Sequence, residues 1–330
     1  MKRNGLLLVA ALGLATTFYL VFYVGFGAVF GAISSLGWGG FALLCLLYLG
    51  MFALLSVGWF VLVPRTAPWP VFFWARTVRD SAAEVLPLSQ FGGFVIGARA
   101  AALRGIPATL SYASTVVDVT TEMIAQIMFV VLGAVIFIAQ FGLHGAHRSL
   151  YLALLIGPVI GVLGAAGFIY VQHHGAEVAV RLARRFVPSA ALHAGAFVKG
   201  LREMYAARLG VVASIAIHFL GWLFSVAIAL VGVRMLGGHT TYLQMVAIES
   251  ALCAIRSAAV FVPSAMGVQE ASYAMLMPMF GMGAGIGVAL SLVKRACNIT
   301  IGIPILLSWQ GVEGRHAIRF QAPDEHLTES

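Results

Sequence analysis

The side chains of this sequence that can do chemistry sit where lipid would be expected. Asp118 and Glu122, Glu249 and Arg256, Gln269 and Glu270, and the adjacent Lys294 and Arg295 interrupt apolar runs, and Arg99 lies in a glycine-broken one. A charge at the centre of a bilayer costs about 2.5–3.5 kcal/mol on insertion scales, so each needs a partner or a purpose. Asp118 and Glu122 are four residues apart and Glu249 and Arg256 seven, spacings that put each pair on one helix face. One reading is that such charges pair to lock helices together. The other is a polar pathway built from all of them. Their number and their gathering in two segments favour the pathway. Its mixed sign suits a zwitterionic or anionic headgroup better than a bare cation.

The two segments are copies. Ser81-Ala82-Ala83-x-x-Leu86-Pro87 matches Ser257-Ala258-Ala259-x-x-Val262-Pro263 at a constant offset of 176 residues, and the same offset sets Asp118 against Lys294. Residues 81–105 carry Pro87, Gly92, Gly93, Gly97 and Gly105 along an otherwise apolar stretch, too interrupted for an ordinary span. Residues 242–283 are broken in the same way, around Pro263 and Gly267. Both read as hairpins that enter the membrane and return, which is tolerated where protein or water shields the broken backbone. Pro87, Gln90, Gly92 and Gly93 are assigned to the first turn, and Pro263 and Gly267 to the second.

The elements that must position these residues follow from composition. The chain is 61% hydrophobic and 10% charged, with a mean hydropathy of +0.97. A soluble domain carries about 25% charged residues, so this is an all-α, polytopic integral membrane protein. Full spans are expected at about 5–24, 41–63, 108–141, 150–171, 209–236 and 284–309, six in all beside the two hairpins. The first follows Met1-Lys2-Arg3-Asn4 and is longer than a signal core, so it reads as an uncleaved span. Gly25 to Gly40, with Gly37-Trp38-Gly39, reads as an interfacial turn. Residues 64–80, with three prolines, Trp69, Trp74, Arg65, Arg76 and Arg79, read as a headgroup-level loop. The whole is one membrane domain. It comprises a first span and linker (1–40), a first repeat (41–141), a connecting span with a basic segment (142–208), a second repeat (209–310) and a charged tail (311–330).

Basic residues set the orientation. With both termini, 64–105 and 172–208 in the cytoplasm, that side carries 15 lysines and arginines against 2 opposite, Arg148 and Arg234. Three full crossings then separate the hairpins, so they enter from opposite faces as an inverted repeat, provided 242–262 does not cross fully. Inverted repeats with discontinuous elements are the architecture of many alternating-access transporters.

Other chemistry is excluded or weak. Cys45, Cys253 and Cys297 are scattered in apolar segments and read as buried small hydrophobes. His173-His174 lacks supporting ligands for a metal. Gly281-x-Gly283-x-Gly285-x-Gly287 lacks the Lys-Ser/Thr of a nucleotide loop and reads as turn or packing glycine. No catalytic triad, zinc signature or paired-carboxylate motif stands out, and no enzyme activity, cofactor or metal is expected. The net charge of +8 reports topology rather than nucleic acid. The basic segment 172–208 is topogenic and lipid-facing, with docking of lipid-biosynthetic enzymes or a transporter as the alternative.

Leu86-Pro87-Leu88-Ser89-Gln90-Phe91-Gly92-Gly93, then Arg99, then Ser114-Thr115-Val116-Val117-Asp118 resembles the first signature of the lysylphosphatidylglycerol synthase transmembrane-region (flippase-like) family. Pro263-Ser264-Ala265-Met266-Gly267-Val268-Gln269-Glu270 resembles its second, with Ser264 where glycine is common. Glu249-Ser250, Arg256-Ser257-Ala258-Ala259 and Lys294-Arg295 are most similar to the hopanoid-biosynthesis-associated subfamily. The resemblance implies a bacterial inner-membrane protein whose partners are membrane lipids, hopanoid or phospholipid. Bifunctional members carry a soluble aminoacyl-transferase domain. The sequence runs about twenty residues past its last span, so that activity is expected to be missing. A translocase or transport accessory is the first expectation, and a non-transporting scaffold for lipid-biosynthetic enzymes the second. A proton coupled through Asp118, Glu122 or Glu270 is left open.

Overall fold

Glycine and proline punctuate this chain, and between them its apolar runs have no choice in lipid but to close their backbone hydrogen bonds as helices. The computed structural model describes residues 26–63, 66–85, 89–141, 161–170, 188–258 and 267–319, together with Val159 and Gln172. These residues form helices α1 (Phe26–Phe60), α2 (Trp69–Val85), α3 (Ser89–Leu103), α4 (Ala108–Phe141), α5 (Gly161–Tyr170), α6 (Pro188–Ala206), α7 (Arg208–Met235), α8 (Tyr242–Ala258), α9 (Val268–Met279) and α10 (Ala284–Arg319). No strand occurs among them.

Four stretches are long and apolar enough to cross a membrane: Ser34–Phe60, Ala108–Phe141, Arg208–Met235 and Ala284–His316. They correspond to four of the six expected spans. The span expected at 5–24 lies outside the described residues, and of 150–171 mainly α5 falls within them.

The 176-residue offset holds for whole elements. Ala108, which opens α4, maps onto Ala284, which opens α10, and Leu103, which closes α3, maps onto Met279, which closes α9. The connecting turns correspond too: Gly105 at φ 97° maps onto Gly281 at φ 77°, and both need the left-handed backbone that glycine supplies without strain. The series α1–α4 therefore recurs as α7–α10. Equivalent helices α1 and α7 pack against each other and run antiparallel. Gly40 lies by Met235, Gly50 by Phe224, Leu55 by Gly221 and Gly58 by His218.

The hairpins are helical and their arms are longer than the broken stretches imply. Prolines at 68 and 70 start α2 rather than a loop, because the first turn of a helix has no intrahelical acceptor for their missing N–H. Residues 69–80 are thus a packed helix, not a headgroup-level loop. Gln90, Gly92 and Gly93 lie inside α3, not in a turn. Gly93 is small because a Cβ there would stand 2.7 Å from the Arg79 carbonyl oxygen, and Gly97 because one would stand 2.6 Å from the Arg79 Cβ. Pro87 and Pro263 lie outside the described residues. Gly267, at φ 77°, immediately precedes α9, where the second turn places it.

Two further boundaries differ from the sequence reading. Residues 26–40 are not an extended turn: α1 continues through them with a single kink at Gly37, where φ is 69° and ψ 163°. The last helix does not stop at Trp309 but runs to Arg319, its extension tied down by an ion pair from Glu313 to Arg99.

The core lies where the two series meet. Trp59 of α1 is fully buried between α2 and α4 and its indole N–H donates to Ser114 Oγ at 3.0 Å. Phe129 of α4 packs with Val246 and Ile248 of α8 and Leu276 of α9. The crossing of α4 over α8 is tight at Gly133, where any Cβ would overlap the Ser250 side chain outright. Gly133→Ala is therefore expected to push α4 and α8 apart and cost about 1–3 kcal/mol, read as a lowered unfolding midpoint of the detergent-solubilised protein.

Candidate functional site

The charged residues inside this bundle resolve into three groups. The first is closed. Arg76 and Arg79 are one turn apart on α2, 1% and 2% exposed, and face Asp118 and Glu122, one turn apart on α4. Arg76 donates to Asp118 at 3.1 Å and Glu122 at 2.7 Å, and Arg79 donates to the same two at 2.7 and 2.6 Å. Asp80 accepts from both guanidiniums, at 2.7 and 3.0 Å. His218 of α7 completes the group, its Nε2 2.9 Å from Asp118 Oδ1. Guanidinium forks suit such two-toothed pairing, and every carboxylate oxygen here has a donor.

The second group is small. Lys294 of α10 donates to both oxygens of Glu249 on α8, at 3.1 and 2.9 Å, and to the Tyr273 hydroxyl at 2.8 Å. Tyr273 of α9 donates to Glu249. It holds α8, α9 and α10 together.

The third group spans the ends of the two hairpins. Arg256, near the end of α8, donates to Glu84, near the end of α2, at 3.3 Å, and to Gln269 Oε1 at 3.0 Å. The Gln269 amide donates to Ser291 at 2.9 Å. Glu270 accepts from the Gly267 N–H at 2.9 Å, from Arg295 at 2.6 Å and from Ser291 at 3.2 Å, fixing the start of α9 to α10. Beside the bridge, Gln126 donates to Ser257 at 2.7 Å, while the equivalent pair, Ser81 and Gly302, touch in the other half. Arg256 and Glu84 are 33% and 36% exposed, so this group is more open than the first, in which only Asp80 and Glu122 are partly exposed.

The nine expected pathway residues therefore do not form one line. Asp118 and Glu122 belong to the closed group, Glu249 and Lys294 to the second, and Arg256, Gln269, Glu270 and Arg295 to the third. Arg99 stands apart, paired with Glu313 at 2.9 Å. Sequence reasoning missed Arg76, Arg79, Asp80, Glu84, His218 and Tyr273. Asp80 was within reach of it: the offset that sets Asp118 against Lys294 also sets Asp80 against Arg256, a second exchange of acid for base between the halves. No group of three or more metal-ligating side chains occurs among the described residues. His173 and His174, and residues 173–187 of the basic segment, lie outside them.

A membrane bundle with paired helical hairpins and embedded charge is the context in which the comparison with known families is decisive. The model of the lysylphosphatidylglycerol synthase TM region matches residues 8–305. The chain belongs to that family. No curated protein and no solved structure matches it. Membership covers both hairpins and all three charged groups, and it makes this a membrane protein of lipid-related function.

Proposed function

We propose that this protein is a lipid translocase of the flippase type, or the transport subunit of one, acting in a bacterial inner membrane with both termini cytoplasmic. Headgroups of hopanoid or phospholipid class pass along the polar surface where the hairpin ends meet, while the tails stay in the bilayer. No aminoacyl transfer or other covalent step is involved.

The observation that carries this reading is the Arg256–Glu84 bridge. It joins the ends of the two hairpins, it is a third exposed, and it lies in a chain otherwise built of apolar helices. Asp118 and its two arginine partners are, by contrast, buried. The antiparallel run of equivalent helices α1 and α7 supports an inverted repeat, the arrangement that lets one site face either leaflet in turn. A scaffold role through 172–208 has less support, because α6 turns Leu201 and Met204 into the bundle and its Tyr205 hydroxyl donates to Gln172 at 2.7 Å.

The test is the rate at which a headgroup-labelled lipid crosses proteoliposome bilayers. Arg256→Gln and Glu270→Gln are expected to lower it while the protein still elutes as a folded species. Wild-type rates in both would remove the translocase reading. The hopanoid part has its own check, the lipid retained in native nanodiscs: phospholipid in bulk proportion with no hopanoid would remove it.

A further inference from the structure

We propose that the closed cluster between α2, α4 and α7 is a proton-binding site, with the proton held by the His218–Asp118 pair and coupled to lipid movement. The binding half stands by itself, and the coupling half rests on the translocase reading above.

Charge comes first. The cluster holds two guanidiniums, Arg76 and Arg79, against three carboxylates, Asp80, Asp118 and Glu122. With a neutral imidazole it carries one uncompensated negative charge inside a membrane bundle, and an unbalanced buried charge is costly. Among the described residues named below, none supplies the ring with a further cation. From α1 the ring meets Gly58, whose added Cβ would stand 3.0 Å away. From α4 it meets Asp118, with Glu122 one turn on, and α2 contributes only the residues just named. On α7 itself the residue one turn back is Ser214, hydrogen-bonded to Thr121 at 2.8 Å. On α6, Lys199 and Glu203 are exposed and pair with each other at 3.7 Å.

Geometry comes second. His218 and Asp118 are both 0% exposed. Asp118 Oδ2 is taken by both guanidiniums, so Oδ1 is left to accept from His218 Nε2–H. That fixes the neutral tautomer: Nε2 bears the hydrogen and Nδ1 the lone pair. Nδ1 is buried and has no hydrogen-bond partner among the described residues. One proton added at Nδ1 turns imidazole into imidazolium, breaks no bond, and brings the cluster from one net negative charge to neutrality.

Access and coupling follow from the same helices. Asp118 is sealed, while Glu122 and Asp80 are partly exposed and share its guanidinium partners. Arg76, Arg79 and Asp80 ride on α2. One turn beyond Asp80 the same helix carries Glu84, which holds Arg256 of the opposing hairpin. A change of charge in the cluster thus acts on the element that makes the contact between hairpin ends.

The experiment has two arms, one of which needs no transport. Protein labelled with nitrogen-15 at histidine, in nanodiscs, is followed by NMR as the pH is lowered over the range in which it stays folded. A ring signal absent from His218→Gln is expected to pass from the neutral to the charged signature. Glutamine keeps an amide N–H to donate to Asp118 but cannot gain charge. In Asp118→Asn the cluster is balanced as two against two, and the same ring is expected to stay neutral. A His218 ring that stays neutral throughout in the wild type, or titrates alike in Asp118→Asn, overturns the site.

The second arm compares movement of headgroup-labelled phosphatidylglycerol in phosphatidylethanolamine–phosphatidylglycerol vesicles with and without a pH difference across the membrane. The ratio of the two rates is expected to exceed one in the wild type and to fall to one in His218→Gln. A wild-type ratio of one overturns the coupling and leaves the titrating site standing. If the wild type moves no lipid under any condition, the translocase reading and the coupling fall together, and the titration alone decides the site.

Discussion

Arg79→Leu is expected to unfold this protein at temperatures the wild type withstands, whatever lipid it handles. The Arg79 guanidinium is 2% exposed and donates to Asp80, Asp118 and Glu122. Removing it leaves three carboxylates around the single cation of Arg76, with Asp118 fully buried. Breaking a buried ion pair from one side costs about 3–5 kcal/mol, against a total stability of about 5–15 kcal/mol. The leucine also vacates the space that Gly93 and Gly97 leave for Arg79. A double-mutant cycle separates charge from packing. Adding Glu122→Leu removes one stranded carboxylate, so the pair of substitutions should cost distinctly less than their sum, measured as unfolding midpoints in detergent. Strict additivity would mean that the cluster stabilises through packing alone, and the electrostatic account of it would then fail.

Why this cluster escaped the sequence is instructive. Asp118 and Glu122 announce themselves, as acids on one face of an otherwise apolar helix. Their partners do not. Arg76 and Arg79 sit among Pro68, Trp69, Pro70 and Trp74, a composition that also describes a loop at headgroup depth, and basic residues there conform to the positive-inside rule. What decides between the readings is a contact across about forty residues of chain, and no periodicity encodes it.

The 176-residue offset, by contrast, was legible in the sequence. Seven positions of Ser-Ala-Ala-x-x-(Leu/Val)-Pro set an offset that the starts of α4 and α10, the ends of α3 and α9, and the turn glycines Gly105 and Gly281 all obey. Small residues and prolines mark hairpins because few other residues tolerate their backbone, so the pattern persists in sequence. Which small residues turn the chain and which admit a neighbour is less visible. Gly93 and Gly97 read like turn residues, yet they are packing sites for α2. The single pathway was likewise too simple: one chain of charges in sequence becomes a sealed cluster, a small clamp and an accessible bridge once the helices are placed.

The bridge gives the prediction that bears most on function. Arg256→Glu sets two carboxylates against each other where the hairpin ends now attract, at 3.3 Å between Arg256 and Glu84. Both side chains are a third exposed, so the fold itself should lose little; exposed pairs contribute about 0–1 kcal/mol to stability. Movement is another matter. Charge-assisted hydrogen bonds are worth about 1.5–3 kcal/mol where they must form, which corresponds to a roughly ten- to hundredfold fall in the rate of lipid crossing. Combining Arg256→Glu with Glu84→Arg restores attraction with the signs exchanged. If the hairpin ends act as a gate, the double variant should recover both lipid crossing and contact between the ends. Contact is read as the coupling between positions 84 and 256 in a double-mutant cycle of unfolding midpoints. If contact returns and lipid crossing does not, the arginine is needed in place to take the headgroup anion, and the bridge is a binding site rather than a latch. If the single variant crosses lipid at the wild-type rate, the hairpin ends are not on the path, and the polar surface between them has no part in transport.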